Sequence, residues 1–438
     1  MKTVKERLYA GAASTDITPE GPVWMDGMIR AHRSGGVRDR LHARVLVLSN
    51  GPDASKAVAI VSVDVCALCG GDADAIRREA SARSGIPPEN VLVSTTHTHS
   101  GPAAFGYFNP KETGFVRLLG ERVAEAARVA VSRLEPARAF HGESEERTVS
   151  YYRRLLADDG HVVMNWETFP AERIVKVLGE ADPRVAVTRF AAGDGRTVAT
   201  LFHHPCHPNA LSGENYLLTD EYPGLAARLV ARRHGGEALF QNGAQGSVDI
   251  DNFRDREWEG MDRLGHALAD AVERAIAGER ELPSPRIAVH GRSYDLPARR
   301  ITDAELAWAR EVLSRTGGEL KPVADGVGDD YKAKLLQELR EVQDRPIRVE
   351  QTCVSFGDCA YLSFPGELYT EVGLAMGKDS PFPHTHLVGL TNGSIGYIPT
   401  AQAIREGGYS EDTRRVDAAA ADIVLAESLA LLREARKG

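Results

Sequence analysis

A chain of 438 residues exceeds a single typical core, so one large domain or two are expected. Its 42% hydrophobic and 26% charged residues are ordinary for a soluble globular protein; a net charge of -9 gives no basic footprint for nucleic acid, and no window approaches the roughly 20 apolar residues of a membrane span. Met1 to Gly11 lack the apolar segment of a secretory leader, and five cysteines are too few and odd in number for a disulfide framework, so a reduced, cytoplasmic setting is expected.

In chain order, strand-like runs fall at 43–48, 57–63 and 91–94, with helical patterns at 73–84 and 116–134. Runs at 185–190, 198–202 and 238–241 follow, with helices at 222–234 and 261–277. Strands at 286–290 and 359–364 and a helix over 417–436 complete the series. Strands alternating with amphipathic helices predict an α/β fold with a mixed sheet core and surrounding helices. Thr302 and Glu305 form a capping box opening a helix through Leu313, and a second helix is expected near 330–342. These two make a helical excursion at about 301–342 within one catalytic domain over 1–438. No internal repeat is legible.

The apolar run from Val91 ends in His97 and His99, followed by Ser100-Gly101-Pro102. In an extended segment, residues i and i+2 project to one side, so both imidazoles are expected in one pocket at a strand's C-terminal end, where α/β proteins place chemistry. Phe202-His203-His204-Pro205-Cys206-His207-Pro208 ends a second strand in the same way, and periodicity does not decide which of its histidines points inward. Phe364-Pro365-Gly366-Glu367 reads as a sharp turn presenting Glu367 in the first turn of a helix through Met376, where the helix dipole favours a carboxylate. Tyr397 lies in the Gly- and Pro-punctuated segment 390–400. The Gly-rich turn after 239–242 carries Ser247, Asp249 and Asp251 but is not a G-x-S-x-G elbow. Cys66 and Cys69 form a C-x-x-C without a second pair, which is weak ground for a zinc or redox role.

Taken together, these segments resemble the neutral/alkaline, non-lysosomal ceramidase family. Gly11 to Pro19, Thr96 to Pro102, His204-Pro205, Phe364 to Glu367 and Tyr397 to Thr400 follow the family's order across about 8–409. The resemblance implies one zinc ion held by His97, His204, Glu367 and Tyr397. It implies that His99 contacts substrate or oxyanion, and that Arg153, with Arg154 as the alternative, faces the substrate. The family's catalytic serine falls on Asp249, with Ser247 two positions earlier, and the family's C-terminal immunoglobulin-like domain is expected to be missing.

The implied activity is hydrolysis of an amide or ester in a small or amphiphilic molecule by metal-activated water, with Asp249 acting on that water as general base or orienting it, and with ceramide not the expected substrate. A zinc enzyme acting on sugars or hydroxy acids, as glycosidase or lyase, and an inactive zinc- or ligand-binding homologue are the rival readings. A dinuclear variant would draw on His207, Asp220, Glu221 and Asp251. The expected partner is a small-molecule substrate, with no nucleic acid and no membrane span; a homo-oligomer stays open.

Overall fold

The computed structural model, which describes residues 7–283 and 285–437, lays down one succession of elements twice before residue 278. The first half comprises β1 (Tyr9–Asp16), β2 (His42–Ser49), β3 (Val58–Val63), α1 (Gly70–Ser84), β4 (Val91–Thr95) and α2 (Thr113–Ser132). The second comprises β5 (Glu135–Glu145), β6 (Arg184–Ala192), β7 (Thr197–His204), α3 (Glu221–His234), β8 (Glu237–Asn242) and α4 (Glu257–Ala277). In each half the first three strands pair antiparallel in sequence order. The fourth then runs parallel beside the third, after a helical crossover. The halves are hydrogen-bonded where Tyr9 opposes Pro136 and Ala10 opposes Glu135. The repeat is one of element order, which is why the sequence does not show it.

Side-chain alternation explains the packing. Val45, Val47, Val61 and Val93 face α1 and α2 through Ile76, Ala80, Leu119 and Val123. Their neighbours Leu46, Leu48, Ile60 and Leu92 point the other way, against Phe190, Leu201 and Leu239 of the second half. The outer face of the second half buries Val187, Phe202 and Phe240 under α3 and α4. Four layers result: helices, sheet, sheet, helices. Strands buried on both faces read as continuous apolar runs, and each such Leu, Val or Phe contributes up to about 1.5–3 kcal/mol on burial.

The rest of the chain adds β9 (Ala288–Leu296), α5 (Asp303–Thr316), α6 (Asp329–Val342), β10 (Ile347–Phe356), β11 (Cys359–Ser363), α7 (Thr370–Asp379), β12 (His384–Val388) and α8 (Ala420–Lys437). The four strands form a sheet in the order β9-β10-β11-β12, and Val354, Phe356 and Tyr361 extend the core between the halves. The Thr302 capping box opens α5 as expected. The α5–α6 excursion packs on Ile29, Tyr107 and Phe108, over loops of the first half. The sequence reading misses β5 because its polar residues break any apolar run, although β5 pairs with β6 along nine residues. Among the described residues, no helix is long and apolar enough to cross a membrane.

Candidate active site

The parallel pairs β3/β4 and β7/β8 end in loops that meet. Beyond Thr95, the His97 N–H donates to the Val65 carbonyl at 3.1 Å, and His97 adopts a left-handed backbone with φ 69°. Such a conformation in a non-glycine residue costs about 1–3 kcal/mol and collects at functional sites. His97 and His99 therefore do not project from an extended strand, as their spacing suggests. The turn at His97 brings their Nε2 atoms to 3.3 Å. The His97 Nδ1–H donates to the Cys66 carbonyl at 2.8 Å, which leaves the Nε2 lone pair facing the cavity.

The second histidine cluster delivers His207, and this corrects the assignment of His204. His203 and His204, adjacent on β7, point to opposite faces. His203 Nε2 donates to the Leu387 carbonyl at 2.7 Å, and His204 Nδ1 to the Arg184 carbonyl at 2.9 Å. The chain leaves the strand at Pro205, and only His207 turns inward. Its ring centroid lies 4.6 Å from that of His97 and 4.9 Å from that of His99.

Glu367 precedes α7 rather than opening it. It sits on a two-residue strand, Glu367–Leu368, paired in parallel with Tyr397–Ile398, so Glu367 stands directly opposite Tyr397. Its Oε2 lies 3.4 Å from His97 Nε2 and is buried without a hydrogen-bond partner among the described residues. One ligand atom each from His97, His207 and Glu367 fall within 4.8 Å of one another. Burial, with the neighbouring His97, holds His99 and His207 well below the usual histidine range, so both are neutral. Burial also opposes charge on His97, but Cys66 and Glu367 beside it raise its pKa well above the ordinary value. The cluster favours positive charge at this point.

These side chains border a cavity lined by His97, His99, Glu367 and Tyr397. An adjoining hollow shares His99 and Tyr397 and adds His207, Arg153 and Asp249. Arg153 Nη2 donates to the Gly246 carbonyl at 2.8 Å and Ser410 Oγ at 2.7 Å, and its guanidinium stands 5.1 Å from the Tyr397 ring centre. Arg154 is instead committed to Glu411 at 2.9 Å and Glu406 at 3.0 Å. Asp249 is fully buried, accepting from the Ile250 N–H at 2.7 Å and Asn209 Nδ2 at 3.2 Å. Burial raises its pKa, against the pull of Arg153 and Arg256. Ser247 Oγ donates away from the hollow, to Thr370 Oγ1 at 3.1 Å and Glu371 Oε2 at 3.2 Å.

Of the spare ligands of a dinuclear site, His207 joins the single cluster and the other three are engaged elsewhere. Asp220 pairs with Arg228 and Arg44, Glu221 accepts from the Ala210 N–H, and Asp251 caps the N–H groups of Phe253 and Arg254. His141, Glu143 and His384 form a separate group whose members already hydrogen-bond one another at 3.2 and 2.8 Å. Phe105, Phe108 and Trp166 line the two hollows from loops the sequence reading places in the pocket wall, and Tyr331, Tyr409 and Arg415 line them as well. No local pattern in the sequence singles out Tyr331, Tyr409 or Arg415, because distant segments bring them together.

Residues 9–248 match the profile of the family described as "Neutral/alkaline non-lysosomal ceramidase, N-terminal". The chain is similar to the neutral ceramidase of Pseudomonas aeruginosa, at 26% identity over 54% of this chain and 36% of that protein. The neutral ceramidase of Mycobacterium tuberculosis is 25% identical over 52% of this chain and 36% of that protein. The chain spans about a third of the length of these curated relatives. Two solved structures share the fold at 18% identity, covering 98% of this chain and 75% of the other: the P. aeruginosa neutral ceramidase, TM-score 0.72, and a "Ceramidase complexed with C2", TM-score 0.76.

Proposed function

The chain belongs to the neutral/alkaline non-lysosomal ceramidase family, and from that premise we propose that it is a zinc-dependent hydrolase of a carboxylic amide or ester. The observation that carries the proposal is the convergence of His97, His207 and Glu367, with an unpartnered buried carboxylate oxygen among them. Two imidazoles and a carboxylate suit Zn²⁺, which takes up His97 in its deprotonated form, and these three would hold it, with Tyr397 beside Glu367. Bound there, the ion supplies Lewis acidity toward a carbonyl and brings a water pKa to near ~7.

The surrounding side chains divide the remaining work. Asp249 accepts the proton of the attacking water, its basicity raised by burial. His99 and the Arg153 guanidinium, held in place by Gly246 and Ser410, stabilise the charge that develops on the carbonyl oxygen. With Ser247 turned away, hydrolysis runs directly, without an acyl-enzyme. The named relatives are ceramidases, so the scissile bond is by analogy an N-acyl amide.

Metal analysis of the purified protein tests this. About one zinc per wild-type chain is expected, and none in His97→Ala or Glu367→Ala. Wild-type protein that stays metal-free after incubation with zinc overturns the proposal.

A further inference from the structure

Arg415 lies in the wall of the same cavity as His97, Glu367 and Tyr397. Its backbone is fixed where its carbonyl accepts from the Arg299 N–H at 2.8 Å, and its guanidinium carbon stands 4.2 Å from the Tyr107 ring centre. Its Nη2 is buried and has no hydrogen-bond partner among the described residues, and no carboxylate there pairs with it. Burial lowers its pKa to about 10, with Cys69 acting in the opposite direction. At neutral pH the group is therefore a half-buried cation with one buried donor unspent.

Other arginines around the site differ. Arg30 spends its donors on three carbonyls, those of Asn215, Asp26 and His99, at 2.8 to 3.0 Å. Arg153 is held through Nη2 by Gly246 and Ser410, and its unpartnered Nε lies in the neighbouring hollow with Asp249 rather than in the cavity that Arg415 lines. A buried donor without a partner is unfavourable, and a guanidinium standing over an aromatic ring carries a fork of donors that matches a carboxylate.

We infer that Arg415 is an anion-recognition residue and that the substrate carries a carboxylate together with the scissile bond. The inference rests on the hydrolase reading for what is cleaved, though not for the anion site itself. It points to N-acyl amino acids and related anionic amides as the substrate class, with the apolar part against Phe108 and Tyr331, which stack at 5.3 Å between ring centres in the same cavity. An uncharged sphingolipid amide leaves the guanidinium unpaired.

The test is calorimetric binding of N-octanoylglycine and of its uncharged counterpart N-octanoylglycinamide to the zinc-reconstituted protein. Wild type is expected to bind the anion about tenfold tighter or more, as a charge-assisted pair implies. In Arg415→Gln the two affinities should converge to within about twofold, and Arg415→Lys, which keeps the charge, should retain part of the preference. No preference in wild type, including no binding of either ligand, overturns the inference. A preference that survives in Arg415→Gln also overturns it, because the carboxylate is then read by the metal or another cation. Turnover of the same pair separates the two readings. Tight, Arg415-dependent binding without hydrolysis of either ligand defeats the hydrolase and leaves the anion site standing; faster cleavage of the glycinamide defeats the anion site alone.

Discussion

The two halves of the molecule share an order of elements and a sheet topology, yet they contribute their clustered imidazoles, His97 and His207, from non-equivalent loops. In the first half the loop after the third strand supplies Cys66, whose carbonyl orients His97, and the loop after the fourth supplies His97 and His99. In the second half the loop after the third strand supplies His207, and the turn after the fourth leads to Asp249. The third sheet then contributes Glu367, from just beyond β11. A repeated scaffold fixes where strand ends meet, while the loops decide what chemistry is placed there.

Removing one imidazole from each half gives the largest expected effect. His97→Ala and His207→Ala should each abolish zinc binding and hydrolysis, since a three-residue cluster does not survive the loss of one member. His204→Ala should retain zinc, because its ring bonds to the Arg184 carbonyl rather than entering the cavity. Metal loss in His204→Ala with retention in His207→Ala would reverse the roles assigned to the second half.

The turn after β8 sharpens the same contrast. Asp249→Ala is expected to lower kcat by about 10²-fold or more, as removal of a general base does. Ser247→Ala, two residues away and bonded to Thr370 and Glu371, should change kcat far less. The pH profile carries a sign: the base must be ionised and burial raises its pKa, so activity should fall on the acid side at a pH above the usual aspartate range. Equal losses in the two variants would remove the distinction.

Much of this scaffold is legible in the sequence, because strands buried on both faces leave continuous apolar runs and the α5 capping box is a local signal. His97 and Glu367 are legible because each ends a strand-like run. Three things are not. Choosing His207 over His204 needs the direction of the chain after Pro205, which no periodicity carries. Placing Glu367 opposite Tyr397 needs a pairing across 30 residues. Arg415 reaches the cavity only through tertiary packing, on Tyr107 from the far end of the chain.

A smaller effect is expected where the halves are tied together behind the histidines. Asn242, buried at the end of β8, accepts from the Cys206 N–H at 3.1 Å and donates to the carbonyls of Cys206 at 2.8 Å and Thr96 at 3.4 Å. It thus fixes His207's loop against the strand end that carries His97. Asn242→Ala leaves buried backbone groups unpaired and should cost about 1–3 kcal/mol in urea unfolding. Zinc affinity should fall with it if the tie positions the ligands; loss of stability with unchanged zinc affinity would limit Asn242 to holding the scaffold.

The smallest and most specific difference lies at the equivalent helices α1 and α3. The first begins with two glycines, whereas the second begins with the fully buried Glu221, at φ 53°. Burial raises the pKa of Glu221 to about 8 from 4.5, against the opposing Ala210 N–H, Arg256 and Arg30. Asp220 beside it is raised to about 7, by burial and then Asp64. Between the ordinary and raised values the folded chain holds a proton that the unfolded chain has released. Stability from Glu221 is therefore complete below pH 4.5 and is lost as pH rises through about 8. Glu221→Gln keeps an acceptor for the Ala210 N–H but cannot ionise. Its urea midpoint should fall less steeply than wild type's between about pH 5 and 9, the residual slope belonging to Asp220 and other groups. Identical slopes would mean that Glu221 is ionised in the folded protein, with its charge balanced by the arginines that converge on it from both halves.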